Sequence, residues 1–250
     1  MPETVAESVL VGVGVDAEDV RRFAKIAAGA PRWRLVFTER EAEHLAAQPR
    51  PALAFCAAFC AKEAVCKALG ERYPFVECEC RFPGGGRSLE VIAAPALLES
   101  RGIAGIRVHL REHYPDERGE CVVEAYLYRG APEGAEALPA ARSRLKSLAV
   151  AAAARGRAQI EARHFSPAEL ADLGERSVQS VAGFLALKSA LVVLWADAGA
   201  PLPVPRDFEL RHQPGGAPVV VSAPPGPGGV HVSISHTRAW AYGLAALCPA

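Results

Sequence analysis

The chain has 250 residues, half of them hydrophobic, and its 28 basic side chains balance its 28 acidic ones, so the formal net charge is zero. Without a net positive field the chain lacks the general attraction to nucleic acid and to anionic membranes that basic proteins have, so a charged partner must be met by a local patch. We expect no membrane span, because Lys, Arg or Gly interrupts each apolar stretch before the roughly 20 residues that a bilayer requires. The length allows one large domain or two smaller ones.

Two features predict a cytoplasmic protein. The first ten residues, MPETVAESVL, carry acids where a signal peptide carries basic residues. The seven cysteines form an odd set without regular spacing, which is typical of a reducing compartment. Cys56 and Cys60 are interpreted as small buried hydrophobic residues of a helix, and Cys78 and Cys80 as alternating positions on a strand rather than zinc ligands.

The first half predicts two long elements and several short strands. Residues 8–15 are typical of a buried strand that glycines close, and Asp16–Ala28 has the apolar spacing of an amphipathic helix. A second, apolar helix is predicted over residues 52–69, ended by Gly70. Shorter strands are predicted at 76–82, 88–93, 105–111 and 120–128. Residues 131–141 have the composition of a linker.

After the linker the pattern repeats. FSPAEL at 165–170 is similar to FTEREA at 37–42, and FLALKSAL at 184–191 is similar to FCAKEAVC at 59–66. VHVSISH at 230–236 follows in the same order as VHLREH at 108–113. Three landmarks in one order indicate a duplication, and we expect the functional cleft where the two modules meet.

Three segments carry candidate chemistry, and each has a simpler interpretation. Gly12 to Glu18 contains a Gly-x-Gly-x-x-Ala pattern of dinucleotide sites, but Asp16 would repel a pyrophosphate unless a divalent cation lies between them; the simpler interpretation makes Asp16 a helix N-cap. Lys62, Glu63 and Lys67 lie on the apolar helix, where Glu63 and Lys67 could form a surface pair or line a cleft.

The third segment is the strand His231–Thr237, whose hydroxyls and imidazole suit a phosphate. Its simpler interpretation is a half-exposed edge strand.

Together these residues resemble the phosphopantetheinyl transferases, through GVGVD at 12–16, FTEREAEHL at 37–45, KEA and KALG at 62–70, and VHVSISHT at 230–237. The resemblance covers roughly residues 9–128 and 150–248. It implies an α+β fold in which two modules, each a small antiparallel sheet packed with helices, form a pseudo-dimer. We expect the modules at residues 1–130 and 142–250, in a chain that is monomeric.

The resemblance also implies residue roles. Asp16, Glu63 and, with less support from the motif, Glu18 match ligands of Mg²⁺, while Lys62 and Lys67 match lysines that contact phosphates. Ser233, Ser235, His236 and Thr237 match the strand that holds the nucleotide end of coenzyme A. Arg22, extended by Arg21 and Lys25, matches a surface that contacts the carrier protein, although a solvated helix face explains these three residues equally well.

The implied reaction moves 4'-phosphopantetheine from coenzyme A to a serine of an acyl or peptidyl carrier protein and releases 3',5'-ADP. Glu63 is the candidate general base, with Lys62 beside it. The two halves differ in complementary ways: Ser189 replaces the glutamate in the second half, and Arg111 and Glu112 replace the serines in the first. Four residues before Lys62 stands Ala58, where small members of the family carry an arginine, so further phosphate contacts must come from elsewhere.

Two rival hypotheses remain open at this point. The chain could be a non-catalytic module that binds coenzyme A or a carrier protein. It could also be a Rossmann-type oxidoreductase, which would require alternating parallel strands and helices.

Overall fold

The computed structural model describes residues 8–27, 31–83, 88–113, 119–130, 141–174 and 177–248. The chain divides into two compact units, Met1–Ala140 and Ala141–Ala250. The predicted linker at 131–141 lies outside the described residues, apart from its last position. Both units combine helices with small antiparallel sheets, which confirms the predicted α+β class.

The first unit contains five strands and four helices among its described residues. In chain order they are β1 (Val9–Asp19), α1 (Ala24–Ala27), α2 (Glu39–Ala46), α3 (Pro51–Leu69), β2 (Cys78–Arg81), β3 (Glu90–Ala93), α4 (Pro95–Glu99), β4 (Gly105–His113) and β5 (Glu120–Arg129). Short 3-10 turns cover Val20–Phe23, Pro31–Leu35 and Phe75–Glu77.

The described part of the second unit contains β6 (Ser143–Ala149), α5 (Val150–Arg155), α6 (Arg157–His164), α7 (Pro167–Leu173), α8 (Val178–Asp197), β7 (Glu209–His212), β8 (Pro218–Ser222), β9 (Val230–His236) and β10 (Trp240–Leu247). A 3-10 turn covers Pro205–Asp207.

The two units share one architecture. Each has a three-stranded antiparallel sheet whose last strand is central, in the orders β1-β5-β4 and β6-β10-β9. One long helix, α3 or α8, packs on that sheet, and a two-stranded ribbon, β2-β3 or β7-β8, accompanies it. This likeness agrees with the duplication that the sequence landmarks indicate.

The glycines of the GVGVD segment allow β1 to approach α3 closely. A Cβ atom on Gly12 would lie 2.2 Å from the carbonyl oxygen of Ala68, and one on Gly14 would lie 1.8 Å from that of Ala64. The sheet that they join is antiparallel, with Asp16 opposite Val123 on β5. The dinucleotide interpretation is therefore wrong, because these glycines serve helix–strand packing in a sheet that is not of the Rossmann type.

The predicted helix at Asp16–Ala28 is wrong over its first residues. The strand continues to Asp19, because Ala17, Glu18 and Asp19 remain paired with β5, and the chain becomes helical only at Val20. Asp16 is therefore no helix cap. Asp19 caps instead, and its carboxylate accepts a hydrogen bond from the backbone N–H of Arg21 at 2.9 Å. Ala28 lies outside the described residues.

The helix α3 follows its prediction. It covers Pro51–Leu69, and Gly70 ends it in the left-handed conformation with φ of 73°. Most of its side chains are buried, so the helix forms the core of the first unit together with β5 and aromatic residues such as Phe23 and Phe37. Any charged side chain on this helix needs a partner or an opening.

The helix α8 fills the corresponding position in the second unit. By length and composition alone it could cross a membrane, even though Gly183 and Lys188 interrupt its apolar run. However, 61% of its most apolar window is buried inside the structure, as in a helix that fills a protein core. Lys188, at its centre, is fully buried.

Candidate active site

Strand β1 places two acidic residues on the side that faces α3. Side chains alternate along a strand, so Asp16 and Glu18 share the face of Gly12 and Gly14, which contacts the helix. Asp16 is buried to 7% exposure. The strand thus ends in two carboxylates beside the helix that carries Glu63.

Glu63 and Lys67 lie four residues apart and so share one face of α3. Lys67 Nζ donates to Asp16 Oδ1 and to the carbonyl oxygen of Val15, both at 2.9 Å. The lysine thus connects the helix to β1, rather than serving only a surface pair with Glu63. The structure brings Asp16, Glu63 and Lys67 to one place, as the sequence predicts.

The pKa of Glu63 is raised above its ordinary value of 4.5. Burial of the half-buried carboxyl is the largest cause, and the negative charges of Asp16 and Glu18 add to it. The positive charges of Lys67 and Arg72 oppose the rise. Glu63 is therefore an acid whose ionised form is costly unless further positive charge is supplied.

The pKa of Glu18 is also raised, mainly by burial, and the nearby charge of Asp16 contributes. Its carboxylate forms an ion pair with Arg22, four residues later. Asp16, Glu18 and Glu63 therefore form one electrostatically coupled group.

This donor set fits a hard divalent cation. Carboxylate oxygens are the ligands that Mg²⁺ prefers, and a cation would offset the burial and mutual repulsion that raise the pKa values of Glu18 and Glu63. The magnesium site itself stays a prediction, with Asp16, Glu63 and Glu18 as its candidate ligands.

Lys62 does not present its charge to this group. Its side chain is fully buried, and Nζ donates at 2.8 Å to three acceptors: the carboxylate of Glu41 and the carbonyl oxygens of Val36 and Phe75. An ammonium group has three donors, so all of them are used. This arrangement contradicts the prediction that Lys62 contacts phosphate or acts in catalysis, because no donor is left for a ligand.

Glu41 completes this buried pair from the other side. Its second carboxylate oxygen accepts a 2.8 Å hydrogen bond from the backbone N–H of Cys80 on β2. Burial raises the pKa of Glu41, while the charge of Lys62 opposes the rise. The pair therefore joins α2, α3 and the first ribbon in the interior.

The second unit contains a corresponding buried lysine–glutamate pair. Lys188 Nζ donates to Glu169 at 2.7 Å and to the carbonyl oxygen of His164 at 2.8 Å, and Glu169 accepts from the backbone N–H of Leu210 at 2.8 Å. Both members are fully buried. Burial lowers the pKa of Lys188, and Glu169 opposes that shift. Ser189 follows Lys188 where Glu63 follows Lys62, so the second unit keeps the pair without the neighbouring acid.

The serine strand is β9. Ser233 and Ser235 are nearly buried and lie opposite Leu244 and Tyr242 of β10, while His236 at the strand end is exposed. The hydroxyl oxygen of Thr237 accepts hydrogen bonds from the backbone N–H groups of Ala239 and Trp240 at 3.1 and 3.0 Å. Thr237 therefore shapes the turn to β10.

The predicted carrier-contact residues lie at the end of β1. Arg21, Arg22 and Lys25 are exposed. However, Arg21 pairs with Asp19, and Arg22 pairs with Glu18. The positive charge of this surface is therefore partly neutralised by its own strand.

Three cysteines of α3 and β5 form a buried cluster in the first unit. The sulfur atoms of Cys56, Cys60 and Cys121 all lie within 4.8 Å of one another and are fully buried. Burial raises the pKa of the Cys56 and Cys60 thiols well above the usual range. The thiols are therefore protonated and act as small apolar groups, in agreement with their interpretation from the sequence.

The sequence patterns did not identify Glu41 and Arg72 as members of this region. Glu41 lies in the first turn of α2, where its backbone N–H donates to Thr38 Oγ1 at 3.1 Å. The available signal was an acid and a lysine kept at matching positions of both halves, 41 with 62 and 169 with 188, on otherwise apolar elements. No pattern marked Arg72.

Comparisons with known proteins found a matching family model and a similar sequence. The model of the 4'-phosphopantetheinyl transferase superfamily matches residues 12–103. A holo-[acyl-carrier-protein] synthase of Syntrophus aciditrophicus (strain SB) is 32% identical over 123 residues, which cover 45% of this chain and 93% of that protein.

Similar solved structures are holo-acyl-carrier-protein synthases. The enzyme from Plasmodium yoelii is 22% identical, with a TM-score of 0.40, over 49% of this chain and 98% of its own. The one from Bacillus anthracis str. Ames, in complex with CoA (3',5'-ADP), is 20% identical, with a TM-score of 0.38, over 48% of this chain and 98% of its own.

The match to the Syntrophus protein extends over nearly that protein's whole length, and the family model matches the segment that carries Asp16, Glu63 and Lys67. The chain therefore belongs to the 4'-phosphopantetheinyl transferase superfamily.

Proposed function

We propose that this chain transfers the 4'-phosphopantetheine group from coenzyme A to a serine of an acyl or peptidyl carrier protein, with release of 3',5'-ADP. The observation that carries the proposal is the group formed by Asp16, Glu18, Glu63 and Lys67, in a member of this superfamily. Such a group suits the transfer of a phosphoryl centre, which depends on positioning and on neutralising negative charge.

Asp16, Glu63 and Glu18 would hold Mg²⁺. When bound, the ion would neutralise charge on the pyrophosphate of coenzyme A. Lys67 already lies within hydrogen-bonding distance of Asp16, at 2.9 Å, so its ammonium group is fixed beside the same place. Lys62 takes no part, because its donors are used inside the core.

Glu63 is the proposed general base. The serine hydroxyl oxygen forms a bond to the β-phosphorus, the bond from that phosphorus to the bridging oxygen breaks, and 3',5'-ADP leaves with the electron pair. Glu63 accepts the hydroxyl proton. A carboxylate whose pKa burial has raised is a better proton acceptor than an ordinary glutamate, provided that it is ionised at the start.

Ser233, Ser235 and His236 are proposed to bind the nucleotide end of coenzyme A. The exposed imidazole of His236 stands at the end of a strand, where it can meet a phosphate. Thr237 acts by holding the turn after that strand. If Ser235 and His236 contact the 3'-phosphate, Ser235→Ala and His236→Ala weaken binding of coenzyme A more than binding of dephospho-coenzyme A.

Arg22, with Arg21 and Lys25, is proposed to contact an acidic carrier protein. Because Arg22 pairs with Glu18, this contact would also reach a candidate metal ligand. The proposal requires that Arg22→Ala raises the KM for the carrier while the affinity for coenzyme A changes less. We further propose that the protein acts in the cytoplasm as a monomer.

The deciding experiment incubates the protein with coenzyme A, Mg²⁺ and a panel of apo carrier proteins, and reads the mass of each carrier. We expect at least one carrier to gain phosphopantetheine. Glu63→Gln and Asp16→Asn should lower the rate by about 100-fold or more, since each removes a charge at the reacting centre.

Glu43→Gln is the matched control, because Glu43 is an exposed glutamate of α2 and the variant makes the same charge change. Its rate should equal that of the unchanged protein. If no carrier is modified while coenzyme A still binds, the transferase proposal fails and the hypothesis of a non-catalytic binding module remains. If Glu63→Gln is fully active, the role of Glu63 is wrong.

A further inference from the structure

The cations around the acidic group are mostly committed to partners within the protein. Lys62 is fully buried with all its donors used. Lys67 is bonded to Asp16, and Arg22 is paired with Glu18. The proposed Mg²⁺ and Lys67 together offset only the charge of the three carboxylates, so a further cation would stabilise the additional negative charge of a bound pyrophosphate.

The chain after α3 folds back along the helix. At Gly70 the backbone reverses, and the N–H of Glu71 bonds to the carbonyl oxygen of Cys66. Two residues later the hydroxyl of the buried Tyr73 donates to the carbonyl oxygen of Lys62 at 3.2 Å. Arg72 lies between these two anchors, so its backbone is fixed beside the part of α3 that carries Glu63.

The neighbours of Arg72 hold this segment from both sides. Glu71 forms an ion pair with Arg101, and the carbonyl oxygen of Phe75 accepts from the buried Lys62 at 2.8 Å. Arg72 itself is exposed and forms no hydrogen bond or ion pair with the rest of the described chain. Its positive charge nevertheless acts on Glu63, where it opposes the rise of the pKa of that carboxyl.

We propose that Arg72 is a substrate-binding residue whose guanidinium contacts the pyrophosphate of coenzyme A next to the Asp16–Glu63 group. This assignment rests on the proposed function. A planar guanidinium can donate two parallel hydrogen bonds to a phosphate, which a lysine cannot do. The backbone is fixed on both sides, so the ordering cost of binding is confined to the arginine side chain.

The test is titration calorimetry of the whole protein with coenzyme A and with dephospho-coenzyme A, each in the presence of Mg²⁺. We expect Arg72→Gln to weaken binding of both ligands by the same factor, roughly 10- to 100-fold, as the loss of a charge-assisted hydrogen bond predicts. Arg72→Lys should have an affinity between those of the unchanged protein and Arg72→Gln, because it keeps the positive charge and loses the two parallel hydrogen bonds of the guanidinium group. Arg40→Gln is the matched control, since Arg40 is an exposed arginine of α2.

The affinities of the Arg72 variants for the two ligands decide between three outcomes. If Arg72→Gln and Arg72→Lys bind coenzyme A as tightly as the unchanged protein, which itself modifies a carrier, the role of Arg72 is wrong and the proposed function stands. If the loss appears with coenzyme A alone, Arg72 contacts the 3'-phosphate, and the pyrophosphate assignment is overturned. If the unchanged protein binds no coenzyme A, the proposed function fails and this assignment fails with it.

Discussion

In the buried ion pair of Lys62 and Glu41, the polar atoms of both side chains have hydrogen-bond partners. Each polar hydrogen of the ammonium group has an acceptor at 2.8 Å, and both oxygens of the carboxylate accept a hydrogen bond. Such a pair adds little net stability compared with apolar residues of the same size, but the loss of one member leaves a charge buried without compensation.

We predict that Lys62→Met lowers the free energy of unfolding by about 3–5 kcal/mol at pH 7. Burial raises the pKa of Glu41 and the charge of Lys62 lowers it, so the substitution raises that pKa further. At lower pH Glu41 is protonated in the folded variant and the uncompensated charge disappears. The loss should therefore be smaller near pH 5 than at pH 7.

Chemical denaturation at both pH values measures this effect. Lys25→Met is the control, because Lys25 is exposed and its removal should change stability little at either pH. An equal loss at pH 5 and pH 7 for Lys62→Met would mean that the charge of Glu41 is not the cause.

The sequence placed both Lys62 and Glu63 in the reactive site, Glu63 as a metal ligand and general base and Lys62 as a phosphate contact. Two adjacent helical residues point in different directions, about 100° apart, so one can enter the core while the next reaches the surface. The direction of each side chain depends on where β1 and α2 pack, and Glu41 lies 21 residues away from its partner. Residue types alone could not distinguish the structural lysine, Lys62, from the candidate binding lysine, Lys67.

At the scale of elements, the contact between β1 and α3 determines where the acids lie. The backbones approach so closely that a single methyl group on Gly14 would overlap a carbonyl oxygen of the helix. Asp16 is two residues further along the same strand face, and Glu63 precedes Ala64, which contacts Gly14. The spacing between the carboxylates of Asp16 and Glu63 therefore depends on Gly12 and Gly14, which allow the close approach.

We predict that Gly14→Ala costs about 3 kcal/mol of stability, because neither the helix backbone nor the strand can move without loss of packing. Gly215→Ala is the control, since a Cβ there has no neighbour within 4 Å. Thermal unfolding of both variants gives the comparison. A Gly14→Ala protein as stable as the control would show that α3 can shift away from β1 at little cost.

The sequence predicted α3 closely and β1 only in part. The apolar run and Gly70 define the helix, because both signals are local. The end of β1 could not be read in this way, since Asp16, Glu18 and Asp19 have the composition of a helical first turn. Pairing with β5, whose residues Glu120 to Tyr128 are all buried, outweighs that local preference.

At the scale of the whole chain, the two units share an architecture and differ in chemistry. Both carry a buried lysine–glutamate pair, but the first carries Glu63 next to it and the second carries Ser189. The duplication could be inferred from the order of the landmarks in the sequence. Which charges of the repeat are structural could be learned only from burial.

We predict one Mg²⁺-dependent coenzyme A site per chain. Titration calorimetry should give a stoichiometry near one coenzyme A per chain in the presence of Mg²⁺. In the Glu63→Gln variant the affinity for coenzyme A should no longer depend on Mg²⁺, whereas the stoichiometry should not fall by half. Ser189→Ala should leave the stoichiometry and the affinity unchanged, since the Ser189 hydroxyl donates to the carbonyl oxygen of Leu185 within its own helix at 2.8 Å. A stoichiometry near two would show that the second unit has its own site.

The paired burial of Lys62 with Glu41 and of Lys188 with Glu169 also bears on how such a chain can change over time. Replacing either partner alone would remove several kcal/mol from a protein whose total stability is typically about 5–15 kcal/mol. Two simultaneous substitutions would be needed to leave this state. After a duplication, drift could therefore erase an acid of the reactive surface, as at Ser189, while both buried pairs stayed locked in place by epistasis.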